Sequence, residues 1–315
     1  MKNEVYTNKE IYSLDINASF PVGVYYVDMS NMFMHNIRFH WHEYMEINLV
    51  TKGTVYYIID EQEIAVPTDS AILINGNRVH GVVSEKSRDA VIISLLFHPD
   101  YIFDATDSLI KSKYLNPLMS DESFAYTILD SSTAHGKNAA ELINQIFTAN
   151  LNKQYGYELT TKGLLCSLWL SLLDGHSANT STRVNTALID EQRVKDTIMY
   201  IHEHFGENIT LSMLSEITHV STSECCRCFK RVTTHSPFEY LMQARIYEAA
   251  YLMQRADEKA SSMNALSNSV GFNNSSYFNR VFKKYLGCTP LQYQKQILKE
   301  HRAALSPHGI PLSTM

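Results

Sequence analysis

Two sets of residues in this chain combine types and spacing that could do chemistry. The first is a pattern that occurs twice near the C-terminus, 53 residues apart: Arg227-Cys228-Phe229-Lys230 with Ser236-Pro237 and Tyr240, then Arg280-Val281-Phe282-Lys283 with Thr289-Pro290 and Tyr293. A guanidinium fork grips two acceptors at once, on a phosphate or a guanine edge, and a nearby ammonium neutralises a phosphate. A short unit used twice within about 100 residues implies two equivalent contacts with something that itself repeats, and duplex DNA repeats every helical turn. The second set is His40, His42 and Glu46 with His80 much later, spaced H-x-H-x3-E…H. On a strand, this spacing places two imidazoles on one face with a carboxylate a few residues on, and another strand can bring the third imidazole. Such a group can ligate a metal or line a pocket for a polar ligand. A third candidate, Cys225-Cys226-x-Cys228, fails on helical geometry. Cys225 and Cys228 share the inward face as small hydrophobes and Cys226 faces out, so the thiols cannot converge.

These residues need elements to position them, and the chain supplies two kinds. Runs at Val22–Met29, Tyr44–Val50, Thr54–Ile59, Ile64–Val66, Ala71–Ile74 and Val91–Phe97 are short, apolar or β-branched, and separated by turn signals such as Pro67-Thr68-Asp69 and Asn75-Gly76-Asn77. That pattern predicts an antiparallel sandwich or small barrel. The period then becomes helical: Ala139, Leu142, Ile143, Ile146 and Phe147 share one face, as do Leu164, Leu165, Leu168, Trp169 and Leu172. This stretch offers more apolar surface than a small barrel needs, for packing on its own barrel or between two chains. A Ser/Thr/Asn-rich stretch, Gly175–Thr186, reads as a linker, and from Asp190 the pattern is helical up to Ser306-Pro307. The expected fold class is therefore α+β in two domains. Residues 1–175 form the β domain with its helices, 176–190 a linker, 191–300 an all-α domain, and 301–315 a flexible tail.

Composition bounds the classes of function. The 315 residues are 45% hydrophobic and 19% charged, as in a globular protein. Lys2, Glu4, Lys9, Glu10 and Asp15 interrupt the start, so no signal peptide is expected, and no apolar run reaches membrane-spanning length. Five cysteines, three of them crowded together, are no disulfide framework and point to a reducing cytoplasm. The net charge is −6, yet residues 191–300 hold 13 Lys+Arg against 11 Asp+Glu, so that segment carries +2 and the remainder −8. Arg227, Lys230, Arg231, Arg280, Lys283 and Lys284 gather beside the repeated pattern, which is the local basic stripe that phosphate binding needs. No nucleophile elbow, Gly-rich phosphate loop or paired-carboxylate motif points to other chemistry, and no enzyme activity and no cofactor are expected.

Each copy of the repeat sits in a helix, tight turn, capped helix. In the first, Thr210 or Asn208 caps a helix carrying Leu211, Leu214 and Ile217. A break at His219-Val220 follows, and Ser221 or Thr222 caps a second helix with Cys225, Cys228 and Phe229 inward. In the second, Ser262 caps a helix with Met263, Leu266 and Val270 inward. Gly271-Phe272 turns, and the next helix buries Phe278, Val281 and Phe282. A long helix, Phe238–Met253, joins the two with Leu241, Ile246, Ala249 and Leu252 as its buried face. The outward residues are Thr222, Ser223, Cys226, Arg227 and Lys230 in one copy, and Ser275, Ser276, Asn279, Arg280, Lys283 and Lys284 in the other. The arginines suit guanine or phosphate, Asn279 adenine, the serines either partner, and the lysines phosphate positioning. The plainer alternative for Arg227 and Arg280 is a surface salt bridge.

At this point the residues carry a resemblance. Val270-Gly271-Phe272, Ser276-Tyr277-Phe278, Arg280-Val281-Phe282-Lys283-Lys284-Tyr285, Gly287 and Thr289-Pro290 closely resemble the signature of AraC/XylS transcription regulators, and residues 193–297 resemble their DNA-binding domain. The resemblance implies two helix-turn-helix units on a rigid linker helix, reading successive major-groove segments of promoter DNA about 34 Å apart. Ser215 stands where a small Ala is usual, and His219 where Gly is usual. The segment His40–Glu46, Lys52-Gly53, Val66–Asp69 and Val79-His80 is similar to a cupin barrel, as in the sensor domains of that family, with Thr68 in place of the usual Gly. Metal-binding cupin enzymes use the H-x-H-x3-E…H arrangement, whereas sensor relatives commonly hold no metal there. The expectation taken forward is a metal-free effector pocket lined by His40, His42, Glu46, Tyr56 and His80. Aromatic faces with hydrogen-bonding groups suit a sugar or similar polar metabolite. The resemblance further implies a homodimer, RNA polymerase as a partner and activation of transcription. The rivals are a metal-dependent cupin enzyme fused to a DNA-binding module, and a regulator that needs no ligand.

Overall fold

Alternation along the strands determines which side chains meet. The computed structural model describes residues 19–30, 36–82, 85–103, 108–119, 124–176, 185–255 and 262–295, with Ile16 and Asp121 besides. The expected tail at 301–315, and the expected linker over 177–184, lie outside these residues. The chain divides into two units, Met1–Val194 with Arg231–Thr234, and the remainder from Lys195.

The first unit contains β1 (Val22–Asp28), β2 (Ile37–His40), β3 (Met45–Lys52), β4 (Thr54–Ile59), β5 (Gln62–Pro67), β6 (Ala71–Ile74), β7 (His80–Val82) and β8 (Val91–Phe97). Then come two short helices, α1 (Asp100–Phe103) and α2 (Asn116–Met119), β9 (Tyr126–Leu129), and the long helices α3 (Ala134–Asn152) and α4 (Tyr157–His176). The strands form two antiparallel sheets, ordered β1-β8-β3-β6-β9 and β2-β7-β4-β5. Val50, Ile72, Ile74 and Ile92 from the first sheet meet Ile37, Val55, Tyr57, Ile59, Ile64, Val66 and Val82 from the second, forming the inner core. The alternate residues Met45, Ile47, Leu49, Leu73, Ile93, Leu95 and Phe97 face outward, and Ala139, Ile143 and Ile146 of α3 cover them together with Leu165, Leu168, Trp169 and Leu172 of α4. The helical pair thus packs on the sheet of its own chain, one of the two arrangements its surplus apolar face allowed. Burial on both faces explains why β8 reads as an unbroken apolar run.

The strands expected at Thr54–Ile59, Ala71–Ile74 and Val91–Phe97 have these bounds. β2, β7 and β9 were not expected: they are three or four residues long, and β2 and β7 carry buried Arg38, His40 and His80, so neither shows an apolar alternation. Turn geometry is met by residues other than glycine in several places. Asp60 and Glu61 take φ 50 and 68 between β4 and β5, and Asp69 takes φ 65. Thr68 uses its hydroxyl to donate to Gly53 O at 2.8 Å, which ties the turn that departs from the usual sequence. Gly76 is needed for closeness: a Cβ there would lie 2.7 Å from Glu43 O.

The second unit is helical. α5 (Asn185–His204) begins five residues before the expected Asp190 and runs from the first unit into the second. It is followed by α6 (Leu211–Ile217), α7 (Thr222–Thr233), α8 (Pro237–Arg255), α9 (Met263–Ser269), α10 (Ser275–Leu286) and a last helical segment at 290–295. Side-chain caps start these helices. Thr210 accepts from Met213 N, Ser221 from Glu224 N, Ser262 from Ala265 N and Asn274 from Tyr277 N, at 3.3, 3.2, 3.2 and 2.9 Å. Leu214, Cys225, Cys228, Phe229, Val270, Phe278, Val281 and Phe282 are buried as expected. In α8, Leu241, Ile246 and Ala249 are buried, but Leu252 is 37% exposed because Ala250 and Met253 complete that face instead.

Candidate functional site

The repeated pattern separates into a buried half and an exposed half. Phe229 and Phe282 are fully buried. Tyr240 and Tyr293 pack edge-on against them, with ring centroids 5.7 and 5.6 Å apart. Ser236 and Thr289 are helix caps in reciprocal boxes. Ser236 Oγ accepts from Glu239 N at 3.2 Å while Ser236 N donates to Glu239 Oε2 at 2.8 Å; Thr289 and Gln292 repeat this at 3.3 and 2.9 Å. Pro237 and Pro290 follow at the first helical position, where the missing N–H costs nothing. The Phe, Ser/Thr-Pro and Tyr of the repeat therefore build two equivalent helix junctions, and packing alone accounts for that half.

The Arg and Lys of the repeat have no part in those junctions. Arg227, Lys230, Arg280, Lys283 and Lys284 are exposed, as are Thr222, Ser223, Ser276 and Asn279, while Cys226 and Ser275 are half-buried. Arg227 pairs with Glu224 one turn earlier on α7. Arg280 lies over the Tyr277 ring, 5.1 Å from its centroid, beside a cleft of about 620 Å³ lined also by Asn208, Asn273, Asn274 and Ser276. The two turns preceding these helices match in form. Val220 N donates to Ser215 O at 3.1 Å, and Phe272 N to Ser267 O at 3.0 Å. His219 holds φ 53 where Gly271 holds φ 83. A Cβ at Gly271 would lie 2.5 Å from Phe205 O, so glycine is required there. The cysteines are free, and the Cys228 thiol donates to Cys225 O at 3.3 Å, turned into its own helix.

In the first unit, His40, His42, Glu46 and His80 converge: one potential ligand atom from each lies within 4.8 Å of the others. The pleat explains it. In β3, Met45, Ile47 and Leu49 face the helices, so Glu46 and Asn48 face the inner core. His80 pairs with Ile59 and with His40, which puts both imidazoles on that inner side. His42 follows β2, and its carbonyl accepts from Asn77 N at 2.6 Å. Glu46 Oε2 lies 2.9 Å from His42 Nε2 and 3.0 Å from His80 Nε2, and the His40 and His80 ring centroids are 4.2 Å apart. Asn48 Nδ2 donates to Glu46 Oε1 at 2.6 Å. Burial pushes the Glu46 carboxyl up, but the charges and hydrogen bonds of His80 and His42 together outweigh it and hold it well below the ordinary carboxylate range. Burial, then His80, holds His40 well below the usual imidazole value.

Tyr56 is not brought to this cluster. On β4, Val55, Tyr57 and Ile59 face the inner core, so Tyr56 faces outward, with Lys86 Nζ 4.8 Å from its ring centroid. Tyr57 holds the inward position one residue on. Asn48 was missed, though its place two residues after Glu46 on a strand was the available signal. The segment carrying His80 has a second attachment within the first unit. Val79 N donates to Glu191 Oε1 at 2.7 Å, and Arg78 Nη1 lies 3.5 Å from Glu191 Oε2, at the start of α5.

Two helix-turn-helix units on one linker helix, following a β domain with a convergent polar cluster, define the class: a DNA-binding regulator with a ligand-binding domain. Residues 30–168 match the AraC-like ligand binding domain and residues 214–296 a helix-turn-helix domain. The chain belongs to the AraC family of transcriptional regulators. It is similar to the uncharacterised HTH-type transcriptional regulator YdeC of Bacillus subtilis, 28% identical over 279 residues, which cover 88% of this chain and 93% of the relative. It is also similar to the HTH-type transcriptional activator RhaS of Enterobacter sp. (strain 638), 21% identical over 257 residues, covering 81% and 87%. Among solved structures, ToxT from Vibrio cholerae O395 aligns at 14% identity with a TM-score of 0.43, covering 89% of this chain and 99% of that one. Among the described residues no helix is long and apolar enough to cross a membrane.

Proposed function

We propose that α7 and α10 are the reading helices, and that Arg227, Arg280 and Asn279 contact base edges while Lys230, Lys283 and Lys284 position the phosphates. Thr222, Ser223, Cys226, Ser275 and Ser276 complete the two faces. The observation that carries this reading is the division of the repeat: its apolar and capping members are consumed in packing, and its cations stay exposed at equivalent places. Exposed cations repeated at equivalent places suit an external polyanion with a helical repeat. The protein would work in the cytoplasm as a homodimer with RNA polymerase as a partner at a few promoters, and activation is the sign of regulation that the name of its activator relative suggests.

The effector would bind the first unit at His40, His42, Glu46 and His80, shifting the population between a DNA-competent arrangement and another. A sugar needs open volume beside its hydrogen-bonding partners, and here those partners are buried and turned on one another. The test is pull-down of fragmented host genomic DNA by the purified protein, followed by sequencing, with the Arg227→Ala/Arg280→Ala double variant as control. Enrichment at a few promoters that the control loses is the expected result. Equal recovery by the control would refute the assignment of the reading helices.

A further inference from the structure

The hydrogen bonds around the polar cluster specify what its centre needs. His40, His42 and His80 each place Nδ1 against a backbone carbonyl, of Arg38, Tyr44 and Arg78, at 2.8, 2.9 and 2.8 Å. A carbonyl only accepts, so each Nδ1 carries a proton and a neutral ring has its lone pair on Nε2. Nε2 of His42 and Nε2 of His80 nevertheless sit 2.9 and 3.0 Å from one oxygen, Glu46 Oε2. A lone pair facing a carboxylate oxygen at that distance is repulsive unless positive charge lies between them. Protons could supply it by making two imidazolium rings with centroids 5.3 Å apart, or one imidazolium beside a protonated carboxyl, and either puts extra protons in a buried setting. One divalent cation answers all of these contacts together.

We propose that His40, His42, Glu46 and His80 bind a single divalent first-row transition ion through three imidazole nitrogens and one carboxylate oxygen. The spacing suits it. Bonds of about 2.1 Å at right angles separate neighbouring donors by about 3.0 Å, as the two His–Glu distances do. Three imidazoles select zinc, iron, nickel or copper over magnesium and calcium. The surrounding groups are those that orient metal ligands: carbonyls fix the three rings, and Asn48 holds Glu46 Oε1 so that Oε2 faces the centre. Through Arg78 and Val79, the strand that carries His80 also holds Glu191 at the head of α5, so an ion at His80 stiffens the attachment of that helix within the first unit.

This inference names the ligand class for the sensor cluster and rests on reading the cluster as a ligand site. Its readout is metal uptake, scored apart from DNA binding on the same preparation. The full-length protein, stripped with a chelator, is titrated with Co2+ and followed by visible ligand-field absorption. One Co2+ per chain is expected, with saturable uptake abolished in Glu46→Gln and in His80→Ala, weakened about 10- to 100-fold in Asn48→Ala, and unchanged in His204→Ala. Because the ligand variants can also lose the fold, X-ray absorption of Zn2+-loaded unaltered protein supplies an independent result. Scattering from three imidazoles at about 2.0–2.1 Å supports the site. A protein that binds its promoter DNA yet takes up no Co2+, or holds Zn2+ without imidazole scattering, overturns the inference and leaves the regulator reading intact.

Discussion

Single residues divide between those the fold consumes and those it leaves for a partner. Arg280 and Arg227 occupy equivalent places, but Arg227 is already paired with Glu224, whereas Arg280 lies over Tyr277. Arg280→Ala should weaken promoter binding by about 1–3 kcal/mol while changing binding to random DNA far less. Lys283→Ala should weaken both alike and lower the salt dependence by about one counterion. Fluorescence anisotropy over a salt series measures both, and an equal loss on random DNA for Arg280→Ala would make it a phosphate contact only. His219 shows the opposite kind of residue. It holds φ 53 at the position where the second copy has Gly271, with a Cβ crowding its own backbone. His219→Gly is expected to stabilise the protein by about 0.5–1 kcal/mol in urea unfolding, the strain relieved less the chain entropy that glycine adds.

Elements are set by their ends as much as by their faces. The Ser/Thr-Pro of each repeat is a capping box, so Ser236→Ala removes the hydroxyl that caps α8, while the backbone bond from residue 236 to Glu239 stays. A loss of about 1 kcal/mol is expected, read as a lower urea midpoint at constant slope. The burial of Ser236 and Glu239 is too slight for a larger effect. The caps at Thr210, Ser221 and Ser262 were legible in the sequence because capping and helical spacing are local, whereas the capping role of Ser236 and Thr289 emerged from the structure. β2 and β7 were not legible, since their residues are buried polar groups whose partners come from elsewhere in the chain. The side of β4 facing the core was misjudged by one residue: Tyr56 and Tyr57 are chemically alike, and only pairing with β7 decides which one turns inward.

At the scale of the molecule, an acidic sensor sequence and a mildly basic reading segment share one chain, so net charge alone misleads about its partner. Core integrity of the first unit depends on α4 covering the five-stranded sheet, where Leu168 is fully buried and Trp169 packs edge-on against Phe97 and Phe103 at 6.3 and 5.2 Å. Leu168→Ala should cost about 2–5 kcal/mol. Both tryptophans, Trp41 and Trp169, belong to the first unit, so fluorescence-monitored unfolding reports on it directly.

The sequence by itself determined the order of the domains, the two helix-turn-helix units with their caps, and which cations face outward. These follow from periodicities and end signals that act over a few residues. Tertiary structure alone decided that α3 and α4 cover their own sheet, that Tyr57 and not Tyr56 faces inward, and that His40, His42, Glu46 and His80, grouped already by their spacing, are buried and turned on one another. Each of those depends on strand pairing between residues as far apart as Glu46 and His80, and on the sign of the pleat at each strand, which no local pattern specifies.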